Sequence, residues 1–108
     1  MNERPPANPD CLLTVVFPPS LEENVIGLLL EHPQWAARFV CAHVEGHGQA
    51  MTLSASADLV RGRTPRLMVQ LVTGHAEVQA LLAAFRESVP SPEVAYWVVE
   101  LAQYGRLA

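Results

Sequence analysis

A chain of 108 residues is long enough for one hydrophobic core and too short for two, so we expect a single domain. Half of its residues are hydrophobic and its formal net charge is −4, which leaves no basic surface to attract nucleic acid or an anionic membrane. No apolar run approaches the ~18 residues that a membrane-spanning helix needs, so we expect no membrane insertion.

The first ten residues, MNERPPANPD, are polar and rich in proline. They lack the apolar stretch of a secretory signal, and two cysteines are fewer than a secreted disulfide scaffold usually has, so we expect a cytoplasmic protein. We predict that 1–10 is a flexible lead-in and that 11–108 forms the domain. The run CLLTVVF (Cys11–Phe17) is short, β-branched and apolar, which predicts a buried strand ended by Pro18 and Pro19.

A helix is predicted in the following SLEENVIGLLLEH. Ser20 and Glu23 have the spacing of a capping box, in which each side chain caps the backbone N–H of the other residue. Gly27 inside this helix costs roughly 1 kcal/mol relative to alanine, which indicates close packing against a neighbour. Pro33 ends the helix.

The segment WAARFVCAHVEG (Trp35–Gly46) alternates in polarity and predicts a second strand. One set of side chains is apolar and should face the core, which leaves the alternate set, with His43 and Glu45, outward. The apolar set consists of Val40, Ala42 and Val44.

The second half repeats the strand and helix pattern. Small and polar residues over Gly46–Thr64 predict a long connection, of the kind that is often functional in a compact domain. PRLMVQLVT (Pro65–Thr73) predicts a strand, GHAEVQALLAAFRES (Gly74–Ser88) a helix with an apolar stripe, and EVAYWVVEL (Glu93–Leu101) a last strand.

The element order β-α-β-β-α-β predicts an α+β, ferredoxin-like fold with a four-stranded antiparallel sheet and both helices on one face. Strands one, three and four are apolar on both sides, although the outer face of such a sheet is normally polar. Burial of each additional apolar side chain is worth roughly 1.5–3 kcal/mol. We therefore expect a homo-oligomer in which copies of the chain pack sheet to sheet.

The stretch CAHVEGHGQA contains the strongest candidate for a metal site. Cys41, His43, Glu45 and His47 alternate, so they share one face of an extended strand, and imidazole and carboxylate suit zinc, copper, nickel or cobalt. The alternative is an outward polar face, because His43 and His47 are roughly 13 Å apart on a regular strand. A bend at Gly46 and Gly48, or ligands from a neighbouring subunit, would be needed to hold one ion.

Two further groups have both a functional and a structural interpretation. Arg61, Arg63 and Arg66 lie where the long connection rejoins the sheet, and they either bind a phosphate or carboxylate effector or form a solvated loop end. For Cys41, we expect a small buried thiol rather than a metal ligand.

Several segments resemble those of a known family. CLLTVVFPPSLEENVIGLLLEHP, VEGHGQA, VRGRTPRLMVQL and YWVVELAQYGRLA are similar to small PII-like domains of uncharacterised function that are often encoded beside heavy-metal efflux pumps. The similarity extends from Asp10 to the last residue, and it rests on the order and spacing of the segments rather than on one diagnostic motif.

The resemblance implies a ferredoxin-like homotrimer related to PII signalling proteins and to CutA copper-tolerance proteins. It also implies effector sites in the clefts between subunits, bordered by a T-loop that corresponds to Gly46–Thr64, and a membrane metal-efflux protein as the regulatory target. The connection is shorter than in nitrogen-regulatory PII proteins. Counterparts of their modified tyrosine and of their basic, nucleotide-contacting segment are missing, so the resemblance does not extend to the features by which those proteins bind ATP.

An enzyme is the alternative. Phosphate-binding Gly-Lys-Ser loops and nucleophile elbows are absent from the sequence. A small dimeric ferredoxin-like enzyme, with His43 or His47 as acid or base in a pocket between sheet and helices, is the specific form of this hypothesis. The sequence favours a non-catalytic signalling protein.

Overall fold

In the part of the chain that the structure describes, four strands and two helices follow one another in the predicted order. The structure is a computed structural model that describes residues 9–47 and 63–108. A 3-10 turn, Pro19–Leu21, precedes the first helix. The strands are β1 (Cys11–Phe17), β2 (Val40–His47), β3 (Arg63–Thr73) and β4 (Ala95–Glu100), and the helices are α1 (Glu22–Glu31) and α2 (His75–Ser88).

The strands form one antiparallel sheet in the order β2-β3-β1-β4. The two central strands, β1 and β3, pair over the whole length of β1, with Val15 opposite Val69, and β4 pairs with the other side of β1. β2 and β4 are therefore the two edge strands. This arrangement confirms the predicted ferredoxin-like α+β fold.

The core lies between the central strands and the two helices. Alternate residues of β1 and β3 point toward the helices and are almost fully buried, as the period of two in a strand requires. Each such side chain contributes roughly 1.5–3 kcal/mol by leaving water. The residues of this core with the lowest exposure include Leu13, Val15, Phe17, Val25, Leu29, Val69, Val78 and Leu81.

The start of α1 differs from the predicted capping box. Ser20 lies inside the 3-10 turn, the N-cap residue is Leu21, and no side chain hydrogen-bonds to the cap. The 3-10 turn begins at Pro19, one residue before Ser20, so Ser20 and Glu23 do not hold the capping positions. The close packing predicted at Gly27 is also wrong, because a Cβ atom built there meets nothing within 4 Å.

The prediction for the two sides of β2 is wrong. Phe39 packs against the core from just before the strand, and Cys41 pairs with the buried Val69, so the odd-numbered side of β2 is the helix side. The apolar set beginning at Val40 lies on the opposite side. The helices pack over the central strands, and both sides of this edge strand remain largely exposed.

The sheet face away from the helices, here called the open face, is mostly apolar. Val40 is 65% exposed, and Trp97 and Val99 are each 48% exposed. Gln70 donates a hydrogen bond from its amide to the Thr14 hydroxyl, at 3.2 Å, near the centre of this face. The side chains of the open face are Leu12, Thr14, Val16, Val40, Ala42, Val44, Arg66, Met68, Gln70, Val72, Ala95, Trp97 and Val99.

Asp10 joins three parts of the fold at the start of β1. Its carbonyl accepts a hydrogen bond from the Leu101 N–H at 2.9 Å, and its carboxylate accepts one from the His75 N–H at 3.1 Å. The last residue of the predicted lead-in thus holds the C-terminal segment and the first turn of α2. In the part of the chain that the structure describes, neither helix has the length and hydrophobicity needed to cross a membrane.

Candidate functional site

The predicted metal-binding residues lie along the edge strand β2. His43, Glu45 and His47 pair with Leu67, Pro65 and Arg63 of β3, so their side chains share the helix side of the sheet. All three are exposed, because the helices do not extend over this end of the edge strand. The predicted common face of these residues is confirmed.

The regular pairing of β2 keeps these three side chains apart. Alternate residues on a strand are ~6.5–7 Å apart, and the two histidines are separated by roughly twice that distance. Within 9–47 and 63–108, no group of three or more His, Cys, Asp or Glu side chains of one chain is arranged to hold a metal ion. The described residues of a single chain therefore do not fit a metal site, and ligands from elsewhere would have to complete one.

Arg66, one of the predicted effector-binding residues, is buried in the sheet. It pairs with Val44, on the side of the sheet opposite to His43 and Glu45, and only 4% of it is exposed. Its Nη1 donates a hydrogen bond to the Pro65 carbonyl at 2.9 Å. A guanidinium keeps its charge when buried, so Arg66 places a cation within the open face near the start of β3.

The remaining predicted effector residues surround the same end of the β2–β3 pair. Gly46 pairs with Thr64, which is buried, and the backbone of Arg63 pairs with His47. Arg61 and Gly48 lie outside the described residues, as does most of the predicted long connection. Its two ends belong to the strands, since β2 continues to His47 and β3 begins at Arg63.

The two cysteines have opposite environments. Cys41 is exposed on the helix side of β2, so the burial expected from the sequence is not found in the chain. Cys11 is buried, and its Sγ lies 3.9 Å from His75 Nδ1. Burial raises the pKa of the Cys11 thiol, and a hydrogen bond with Asp10 raises this pKa further.

The sequence as a whole matches a family model, described as a protein of unknown function (DUF3240), over residues 7–108. The chain belongs to the DUF3240 family. No curated protein matches the sequence. Membership of DUF3240 agrees with the resemblance to PII-like domains of uncharacterised function.

Solved structures share the fold at low sequence identity. A DUF3240 family protein from Shewanella baltica OS155 is 17% identical, with a TM-score of 0.73, 92% of this chain and 97% of that chain covered. CPII, a nitrogen regulatory PII-like protein from Thiomonas intermedia K12 bound to ADP, AMP and bicarbonate, is 17% identical, with a TM-score of 0.67 and coverages of 93% and 97%. CutA1 from Pyrococcus horikoshii is 13% identical, with a TM-score of 0.67 and coverages of 90% and 88%. These likenesses establish a PII-like fold for this DUF3240 chain.

Proposed function

We propose that this DUF3240 protein is a cytoplasmic, non-catalytic, PII-like regulatory protein that binds a small effector or a divalent metal ion between subunits. The apolar open face is the observation that carries the proposal, because a sensor with clefts between subunits first needs a surface that joins them. The PII-like fold supports the same role, since its solved examples include a protein described as nitrogen regulatory.

The open face gives the assembly its physical basis. Val40, Trp97 and Val99 are each about half or more exposed in the single chain. Val40 lies on the edge strand β2, and Trp97 and Val99 lie on the opposite edge strand, β4. Covering a few such side chains contributes roughly 1.5–3 kcal/mol each. We propose that other copies of the chain cover this face, and the family resemblance favours a homotrimer.

The proposed effector site is the end of the β2–β3 pair. His43, Glu45 and His47 supply imidazole and carboxylate ligands suited to Zn, Cu, Ni or Co, and a second subunit supplies the ligands that one chain lacks. Arg66, with Arg61 and Arg63, supplies positive charge for an anionic effector beside Gly46 and Gly48. Adenine nucleotides belong among the compounds to test, because CPII carries ADP and AMP.

Regulation would act through the connection between β2 and β3. We propose that an effector bound at the β2–β3 end fixes the conformation of Gly46–Thr64, which then contacts a membrane metal-efflux protein. This link to heavy-metal tolerance rests on the family resemblance. His47 is the last residue of β2 and lies at the start of the connection, so an effector bound at His47 would be next to it.

The enzyme alternative is not favoured. A catalytic histidine in a ferredoxin-like enzyme should lie in a pocket between the sheet and the helices. His43 and His47 are instead exposed on an edge strand.

A thermal-shift panel tests the site directly. Divalent Zn, Cu, Ni and Co, ADP, AMP and ATP are added in turn to the wild type and to a His43→Ala/His47→Ala double variant. We expect at least one metal to raise the Tm of the wild type and to leave the double variant unchanged. His75→Ala, which removes an exposed histidine on α2, is the matched control and should respond like the wild type. The metal site is contradicted if no metal raises the Tm of the wild type, or if every metal that does so stabilises all three proteins equally. Nucleotide responses are scored separately.

A further inference from the structure

A buried thiol and an imidazole lie side by side on the helix side of the sheet, where β1 and α2 begin. Cys11 Sγ is 3.9 Å from His75 Nδ1. Cys11 is only 2% exposed, whereas His75 is exposed, so the imidazole gives an ion a path to the thiol. The pair lies at the other end of β3 from Arg63, roughly 33 Å along the strand, and is therefore separate from the proposed effector site.

A buried hydroxyl group lies next to this pair. Thr73 is opposite Cys11 in the pairing of β1 with β3, so the two side chains share the helix side of the sheet. Thr73 Oγ1 is buried, and none of the residues that the structure describes hydrogen-bonds with it. A neutral thiol is a weak hydrogen-bond acceptor, whereas a charged thiolate is a stronger one. The Thr73 hydroxyl is therefore positioned to stabilise a thiolate at Cys11, as the groups around metal ligands commonly do.

We propose that Cys11 and His75 bind one soft monovalent metal ion, Cu(I), between Sγ and Nδ1. With the bond lengths of zinc, ~2.3 Å to thiolate and ~2.0–2.1 Å to imidazole, a tetrahedral angle needs ligand atoms about 3.6 Å apart. The observed 3.9 Å gives instead an angle of roughly 130°, which suits an ion with two or three ligands. Over 9–47 and 63–108, no third His, Cys, Asp or Glu side chain completes a metal-binding group with this pair. Thiolate ligands favour Cu(I) among soft ions of this kind.

The charge balance of the site also favours a monovalent ion. Cu(I) replaces the thiol proton, which leaves to solvent, so the thiolate and the ion together are neutral and no oxidant or reductant is consumed. A divalent ion would add a positive charge at the positive end of the α2 dipole, which the carboxylate of Asp10 already neutralises. The divalent ions of the thermal-shift panel should therefore not use this site, and His75→Ala remains the control there.

The protonation of the thiol makes binding of the ion depend on pH. Burial raises the pKa of the Cys11 thiol, so at neutral pH the proton must be displaced before the metal–sulfur bond forms. Below that pKa, each unit of pH should therefore strengthen binding about tenfold, because one proton is released for each ion bound.

A titration with Ag(I), which has the charge and softness of Cu(I) and is stable in air, tests the proposal. The reference protein is Cys41→Ser, which lacks the exposed thiol. We expect nitrogen NMR of the histidine side chains to show a saturable shift of His75 Nδ1, and native mass spectrometry to show the bound ion. In this background, His75→Ala should weaken Ag(I) binding at least about tenfold. Thr73→Val, which removes the hydroxyl and keeps the side-chain shape, should weaken it about tenfold.

The histidines of β2 provide the matched control. A His43→Ala/His47→Ala variant in the same background should keep the full Ag(I)-dependent shift of His75 Nδ1, whatever the divalent metal panel gives. The proposal is overturned if Ag(I) leaves His75 Nδ1 unshifted, or if the His75→Ala protein binds the ion as tightly as the reference. Because His75 is exposed, its replacement should leave the chain folded, and circular dichroism checks this for every variant.

Discussion

The carboxylate of Asp10 caps α2 by accepting a hydrogen bond from the backbone N–H of His75, 65 residues away in sequence, at 3.1 Å. The N-cap residue of this helix is Gly74, which has no side chain to supply the acceptor. Asp10 therefore satisfies a free N–H group of the first turn and places a negative charge at the positive end of the helix dipole. The cap also ties the start of β1 to α2.

Replacing Asp10 by alanine should lower the free energy of unfolding by about 0.5–2 kcal/mol, the usual cost of a lost N-cap. Asp10→Asn keeps an acceptor oxygen and should lose much less. Urea denaturation at one fixed protein concentration measures both variants, because association would otherwise shift the apparent stability. Equal losses for the two variants would show that the hydrogen bond to His75 is not what stabilises the helix.

Gly27 in the middle of α1 should tolerate alanine and gain from it. A Cβ atom there meets nothing within 4 Å, and alanine restricts the unfolded chain more than glycine does. We expect Gly27→Ala to raise the free energy of unfolding by about 0.5–1 kcal/mol in the same urea experiment. A loss of stability would mean that another molecule, such as a second copy, packs against this position.

A substitution at Trp97 tests whether copies of the chain assemble through the open face. On the open face it lies opposite Thr14 and is 48% exposed, so Trp97→Glu should leave the fold of one chain intact and place a charge in the proposed interface. We expect light scattering after size exclusion to give a trimer for the wild type and a smaller species for the variant. Leu30→Glu is the matched control, because Leu30 is 67% exposed on α1 and should not affect the mass. A monomeric wild type, or a variant that keeps the wild-type mass, contradicts assembly through this face.

The two thiols should differ in reactivity. Cys41 is exposed, whereas Cys11 is buried and has a raised pKa, so at a given pH less of Cys11 is present as the reactive thiolate. Brief treatment of the folded protein with N-ethylmaleimide at pH 8, followed by peptide mass spectrometry, should label Cys41 first. Cys41→Ser should remain almost unlabelled on this timescale until urea is added. Rapid labelling of Cys11 in that variant would show that the β1–α2 junction opens readily.

The strands and helices could be predicted well because each depends on residues that are close together in the sequence. β1 begins and ends at the predicted residues, since an apolar β-branched run meets two prolines at Pro18 and Pro19. The alternation along β2 correctly placed His43, Glu45 and His47 on one face. Periodicity defines two faces of a strand, however, and does not say which one the helices cover.

Partners distant in sequence could not be predicted in the same way. The orientation of β2 follows from its register with β3, which places Cys41 against Val69 and Arg66 beside Val44. Asp10 and His75 meet only because α2 packs over the sheet where β1 begins. Arg38 and the C-terminal Tyr104 likewise line one cavity on the open face, and no short motif connects them.

The position of β1 in the sheet also constrains how the chain can fold during its synthesis. β1 precedes the other described strands in the chain, yet one of its two neighbours is β4, which follows all of them, with Leu13 opposite Val98. Such pairings between distant residues close slowly, because much chain entropy is lost before they form. One side of the nascent β1 therefore remains open until β4 has been synthesised, and a chaperone that shields apolar strands would act in that interval.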